Sequence, residues 1–244
     1  MLHIGILAHS ADGAALCFQE MVRESARELG AHRHPEITLS VLPMGDVFAA
    51  YESGDLSAVN AHLRRTGERL AAAGCDFFVC PDNTAHIALD AALDPYPLAG
   101  LHICEIVAAR AKADGRRSVG LLGTKWTMEG PAYPRAFARA GLELRTPPPA
   151  DRALIDAVIF DELCQGRIAE TACADFVRII EELKRGGCDA VALSCTEIPL
   201  LITREISPLP ALDSTRLLAH EAIRVALGKA QLPTWRGGPQ EESA

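Results

Sequence analysis

The stretches GCDFFVCPDNTAH (residues 74–86) and GCDAVALSCTEIP (residues 187–199) share an opening Gly-Cys-Asp, an apolar run and a polar ending. A displacement of 113 positions carries Gly74 onto Gly187 and Asp82 onto Cys195. Upstream, IGIL at Ile4–Leu7 resembles VGLL at Val119–Leu122, displaced by 115 positions. Two landmarks that recur in order at nearly one spacing point to a duplicated unit. The copies differ where their apolar runs end: one carries a carboxylate, the other a thiol.

Outward from these stretches, short apolar runs alternate with amphipathic ones. Residues 3–9, 37–43, 75–81, 118–124, 142–147 and 189–195 read as strands, apolar on both faces or nearly so. That is the pattern of buried parallel strands. Residues 14–29, 55–73, 102–113, 151–165 and 169–186 read as helices. Alternating strands and helices imply mostly parallel sheets flanked by helices. The expectation is an α/β protein of two pseudosymmetric domains with an active-site cleft between them. Residues 1–98 and 212–230 form the first domain, its last helix returning to it, and residues 99–211 form the second. The polar tail, 231–244, is expected to be disordered.

Composition narrows the partners. The chain has 244 residues, 49% hydrophobic and 23% charged, with a formal net charge of −8. An acidic chain without a basic stripe argues against nucleic acid and anionic membranes. Neither a long apolar run nor a signal-peptide pattern is visible, so a cytoplasmic protein is expected. The eight cysteines form no CxxC pair and no HExxH is present, so no metal site is expected. In a reducing compartment Cys17, Cys75, Cys104, Cys164, Cys173 and Cys188 read as packing residues. Cys80 reads as a buried strand residue, since the repeat selects Asp82 rather than its neighbour.

Ligands of open α/β sheets bind beyond the carboxyl ends of the strands. Asp82 and Cys195 lie just past such ends, as do the loops 8–13 and 123–130. Two acid–base groups that approach a small ligand from opposite sides suit proton transfer at carbon. One removes a proton and the other delivers one to the opposite face. A thiol serves because its pKa, ordinarily about 8.5, is readily shifted. A carboxylate, ordinarily near pKa 3.9, becomes a stronger base in a dry site.

NTAH at 83–86 and CTEIPLL at 195–201 resemble signatures of the aspartate/glutamate racemase superfamily. VGLLGTKWTMEG (119–130), VIFDELCQG (158–166) and ALDSTRLLAHEA (211–222) resemble further blocks of its amino-acid racemase branch. The resemblance implies a cofactor-independent racemase or epimerase of an amino acid or related α-substituted carboxylate, in a homodimer, with one cysteine from each half flanking the substrate α-carbon. This chain reads DNTAH where relatives read CNTAH, so the pair becomes Asp82 and Cys195. Asn83, Thr84, Thr124 and Thr196 match positions that hold the substrate α-carboxylate, and Ser10 matches a ligand-contacting one. Thr127 is a further binding candidate. His86 and Glu197 are candidates for orienting the catalytic groups.

Each role has a plainer counterpart. Asp82 can be a helix cap, the threonines and Ser10 can be turn or cap residues, and His86 can be a satisfied structural histidine. Trp126 can wall the cleft or simply pack. The alternative enzymes are a single-thiol decarboxylase or a cis–trans isomerase of the same superfamily. The alternative outside catalysis is a carboxylate-binding protein. Residues 43–55 contain no Arg or Lys, and Leu154 stands at the family's basic position, which argues against an acidic substrate side chain.

Overall fold

A computed structural model describes residues 1–239. The chain divides into two compact units, one built from Met1–Ile103 and the chain from Thr215 onward, the other from Cys104–Ser214. The boundaries read from sequence, 98/99 and 211/212, lie a few residues before these.

The first unit runs β1 (Ile4–Ala8), α1 (Ala11–Leu29), β2 (Ile37–Val41), α2 (Phe48–Ser53), α3 (Leu56–Ala72), β3 (Phe77–Val79), α4 (Ala85–Asp90) and β4 (Gly100–Leu101). Helix α5 (Ile103–Ala113) leads into the second unit. There follow β5 (Ser118–Gly123), α6 (Lys125–Glu129), α7 (Ala132–Ala140), β6 (Glu143–Arg145), α8 (Pro149–Asp161), α9 (Glu170–Arg185), β7 (Ala190–Ser194), α10 (Ile198–Leu201) and β8 (Ala211–Asp213). Helix α11 (Ser214–Ala226) returns the chain to the first unit. The sheets have the orders β2-β1-β3-β4 and β6-β5-β7-β8, and every pairing is parallel. The two units therefore repeat one topology.

The repeated Gly-Cys-Asp builds the fold in each unit. Gly74 (φ 81°) and Gly187 (φ 99°) take the left-handed conformation that ends the preceding helix. The next residues, Cys75 and Cys188, donate their backbone N–H to Leu70 O (3.1 Å) and Leu183 O (3.0 Å). Both cysteines are buried. The aspartates then tie the entry of the central strand. Asp76 Oδ2 accepts the His3 N–H at 2.7 Å, and Asp189 Oδ2 accepts that of Arg117 at 2.9 Å. A second equivalence lies on the central strands. A Cβ on Gly5 would meet Leu70 Cδ1 at 3.1 Å, and one on Gly120 would meet Leu183 Cδ1 at 2.7 Å. Glycine lets the helix seat its leucine directly on the sheet.

β1, β3, β5 and β7 are buried throughout. β2 and β6 are not, in contrast to the expectation of strands apolar on both faces. They are edge strands, and β2 leaves Leu39 and Val41 exposed. The other edge strands, β4 and β8, are two and three residues long and carry no apolar run to announce them.

The expectation of a disordered tail from 231 does not hold for residues 235–238. The backbone carbonyls of Trp235 and Arg236 accept N–H groups of Gly100 (2.7 Å) and Tyr96 (2.6 Å), and Gly238 N–H donates to Leu89 O at 2.8 Å. The Trp235 ring stacks on His86, with centroids 5.9 Å apart and planes 11° apart, and lies 6.0 Å from Phe78. Composition hid this because the glycines that suggest disorder are what let the backbone lie close. Gly238 is buried, and a Cβ on Gly237 would meet the Tyr96 ring at 2.8 Å. Residues 240–244 lie outside the described residues.

Candidate active site

In the first unit the chain leaves β3 at Val79, passes the buried Cys80 and Pro81, and reaches the half-buried Asp82. Asp82 Oδ1 accepts the Ala85 N–H at 3.0 Å, a cap-type bond at the start of α4. His86 Nδ1 lies 2.9 Å from Asp82 O, and its Nε2 accepts the Ile103 N–H at 3.3 Å. With Nε2 accepting, Nδ1 must carry the proton and donate it, so this histidine is one neutral tautomer with both nitrogens engaged. Burial, and then the neighbouring His102, push its pKa down to about 3. His86 therefore ties the Asp82 carbonyl to the start of α5 as a neutral ring. Its neighbour His102 is bonded to the buried Asp90 carboxylate at 3.1 Å. Asn83 and Thr84 are buried beside Asp82. Ser10 caps α1, its hydroxyl accepting the Gly13 N–H at 3.1 Å.

Three residues not anticipated from sequence belong to the same strand ends. His9 follows β1 and is 1% exposed. Tyr51 of α2 places its hydroxyl 3.0 Å from His9 Nε2, and the His62 ring of α3 lies edge-on to His9 at 6.2 Å. The signal was present in AHSADG, where a histidine ends the strand equivalent to the one that Thr124 follows.

In the second unit Cys195 follows β7. Its thiol donates to Glu197 Oε2 at 2.9 Å, and the Thr196 hydroxyl donates to the same oxygen at 2.7 Å. Burial, and then the charge of Glu197, push the Cys195 pKa well above that of an ordinary thiol. The resting group is a thiol hydrogen-bonded to a carboxylate. Thr124 caps α6, accepting the Thr127 N–H at 3.3 Å, and the two hydroxyls are 3.2 Å apart. Both threonines are buried. The register Gly123↔Ser194, continued by one residue, sets Thr124 level with Cys195. A Cβ on Gly123 would fall 2.9 Å from Ser194 O, so the two strand ends meet without a side chain between them.

Trp126 packs edge-on against Phe160, with Lys125 over its ring. An open cavity of about 600 Å³ near the end of α8 is lined by Phe160, Asp161, Gln165 and Arg167, none of them among the site residues expected from sequence. Cys164 is exposed and Cys173 half-buried, so the packing role expected for Cys164 is not met. Cys164 sits in the short turn that follows α8, where the helical pattern of 151–165 breaks off.

The structure thus groups Ser10, Asp82, Asn83, Thr84 and His86 at the strand ends of one unit. It groups Thr124, Thr127, Cys195, Thr196 and Glu197 at those of the other. Among the described residues no helix is long and apolar enough to cross a membrane.

The duplicated four-stranded parallel α/β unit is the fold of solved structures of the racemase class. The chain belongs to the Asp/Glu/Hydantoin racemase family, which it matches over residues 7–222. It is 31% identical to a glutamate racemase of Beutenbergia cavernae, over 78% of this chain and 70% of that protein. A Yersinia pestis structure, described provisionally as an Asp/Glu racemase, superimposes with a TM-score of 0.84 at 29% identity, covering 93% of this chain and all of that one. An aspartate racemase homologue from Pyrococcus horikoshii superimposes at 0.78 with 26% identity, over 93% of this chain and all of that one.

Proposed function

We propose that the protein is a racemase or epimerase of an amino acid or related α-substituted carboxylate, working without a cofactor, with Asp82 and Cys195 as the proton-transfer pair. The observation that carries this reading is the state of Cys195. Its half-buried thiol, at a strand end, donates to Glu197 Oε2 at 2.9 Å, and burial and the Glu197 charge push its pKa up. Duplication places it where the first unit has Asp82. A protonated thiol is the form that delivers a proton to a carbanion, and a carboxylate is the form that removes one. Asp82 takes the α-proton from one face while Cys195 gives its own to the other. The reverse direction starts from the carboxylic acid and the thiolate. The two directions therefore differ in kcat and KM together, although mirror-image products stay at equal concentration at equilibrium.

Asn83, Thr84, Thr124, Thr127 and Thr196 supply the neutral donors for the substrate carboxylate, with Ser10 beside them. The curated relatives include glutamate racemases, but in this chain residues 43–55 carry no Arg or Lys, and Arg135, Arg152 and Arg204 lie in no motif that assigns them to a second carboxylate. Arg152 is already bonded to Glu129 and to the Pro147 carbonyl, and Leu154 is apolar. The reading therefore favours a substrate with a neutral side chain. It includes a homodimer in the cytoplasm, which sedimentation and cell fractionation test.

The Asp82–Ala85 cap bond favours a second reading, in which Cys195 alone protonates a carbanion, as in a decarboxylase. A screen of amino acids in heavy water separates the two. A racemase washes deuterium into the α-position and yields both enantiomers, whereas a decarboxylase releases carbon dioxide. Asp82→Asn is expected to abolish racemisation, and Asp82→Cys to give more even forward and reverse rates. Unchanged racemisation in Asp82→Asn would reduce Asp82 to a helix cap.

A further inference from the structure

His9 is a buried group beside the first unit's strand ends whose chemistry is left open. The register Ile4↔Phe77, Gly5↔Phe78, Ile6↔Val79 brings the ends of β1 and β3 side by side, and the charge of Asp82 reaches His9. Its Nε2 lies against the Tyr51 hydroxyl. Its Nδ1 is fully buried and has no hydrogen-bond partner. A buried polar atom without a protein partner is costly, and such atoms call for a partner of another kind, a water, an ion or a ligand.

The surrounding groups decide what His9 can offer. Tyr51 faces it from α2 and His62 from α3, the charge of Asp82 acts on it from the segment after β3, and Asp82 and Cys80 act on Tyr51. Asp46 and Arg65 act on His62 in turn. Burial lowers the pKa of His9, against the opposing charge of Asp82, so the ring is neutral. Burial and the Asp82 charge raise the pKa of Tyr51, so it remains a phenol with a proton to donate. A neutral ring that accepts at Nε2 carries its proton on Nδ1.

We propose that His9 is a substrate-binding residue. Tyr51 donates to its Nε2 and so fixes the tautomer, and its Nδ1–H is an uncharged donor to the substrate carboxylate beside Asp82. The inference rests on the reading of Asp82 as part of a carboxylate site. It adds a specificity element, since a neutral donor leaves the charge near Asp82 unchanged where an arginine or lysine would hold the carboxylate ionised.

The experiment is long-range 1H–15N NMR on protein labelled with 15N-histidine, with the His9 signals assigned by their loss in His9→Asn. The expected result is a neutral ring with Nδ1–H from pH 6 to pH 8, as ordinary histidine is only partly neutral near its pKa of about 6.5. Tyr51→Phe should admit the other tautomer. Acetate and L-alanine should shift the Nδ1–H proton downfield, and ethylamine, which lacks a carboxylate, should not. His9→Asn sets an amide N–H near the Nδ1 position and should bind acetate within about threefold of the parent, while His9→Gln and His9→Phe weaken it at least about tenfold. An Nε2–H tautomer in the parent, an imidazolium at pH 7, or acetate binding unchanged in both His9→Gln and His9→Phe would overturn the proposal. Measuring α-proton exchange in heavy water on the same parent protein keeps the two inferences apart. If the racemase reading alone fails, no substrate exchanges its α-proton but the His9 response to acetate persists. If His9 alone is misassigned, exchange proceeds while the response is absent.

Discussion

At Cys195 a two-residue spacing sets the chemistry. The thiol donates to a carboxylate that also receives the Thr196 hydroxyl, so the thiolate forms only against burial and a like charge. Cys195→Ser should lower racemisation by at least about 100-fold, the lower range for a general acid–base group, with folding unchanged. Glu197→Gln removes the negative neighbour. Alkylation of Cys195 by iodoacetamide, followed against pH, should therefore move to lower pH in that variant. A profile that stays in place would remove Glu197 from control of the thiol. His86 makes an independent prediction. Its pKa is about 3 when folded and 6.5 in a model peptide, so the unfolded chain binds the extra proton first. Stability from this group is complete above pH 6.5 and is lost as pH falls toward 3, at no more than roughly 1.4 kcal/mol per pH unit. His86→Gln should be less stable than the parent at pH 7 and lose less on acidification, as chemical denaturation at a series of pH values will show. The contact between Cys195 and Glu197 was legible in CTE, because one motif brings them together. The group of His9, Tyr51 and His62 was not, since it comes from three elements with no common spacing.

At the scale of elements, six strands and five long helices were legible because each has a strong period or an unbroken apolar run. The short pieces were not. β4, β8, α2, α6, α7 and α10 owe their conformation to neighbours rather than to pattern. The edge position of β2 and β6 also escaped notice, since apolar content alone does not reveal which side a strand shows to water. The repeated Gly-Cys-Asp was read correctly as a repeat, yet its residues serve the turn and the strand entry rather than the ligand. The glycine–leucine contact gives the test. Gly120→Ala would put a methyl 2.7 Å from Leu183 Cδ1 in the buried middle of the second sheet. Overpacking of this kind costs about 1–3 kcal/mol. Gly5→Ala, at 3.1 Å, should cost less. Urea denaturation of the two variants checks the order, and Leu183→Ala on the Gly120→Ala background should recover part of the packing strain.

At the scale of the molecule, the chain's last described segment supports the first unit's site. Trp235 covers His86, and His86 holds the Asp82 carbonyl. Trp235→Ala should destabilise the protein by about 1–3 kcal/mol, less than the ~3–5 of a fully buried tryptophan, because this one is half-buried. Thermal unfolding measures the loss. A melting temperature equal to the parent's would mean that the tail contributes nothing in solution.

The division of the chain also orders events during synthesis. The second unit is one continuous segment, Cys104–Ser214, whereas the first is interrupted by it and resumes at Thr215. The Leu2 N–H bonds to Ala226 O at 3.0 Å, so the first strand's entry waits for the last helix. As a nascent chain leaves the ribosome, the unit encoded later is the first to have all its parts, reversing the usual N-terminal-first sequence. The half that carries Asp82 spends most of translation incomplete, with Leu2 awaiting Ala226 and Phe78 awaiting Trp235. Chaperones that bind exposed apolar strands will meet that half, and slowed translation beyond residue 214 will prolong the encounter.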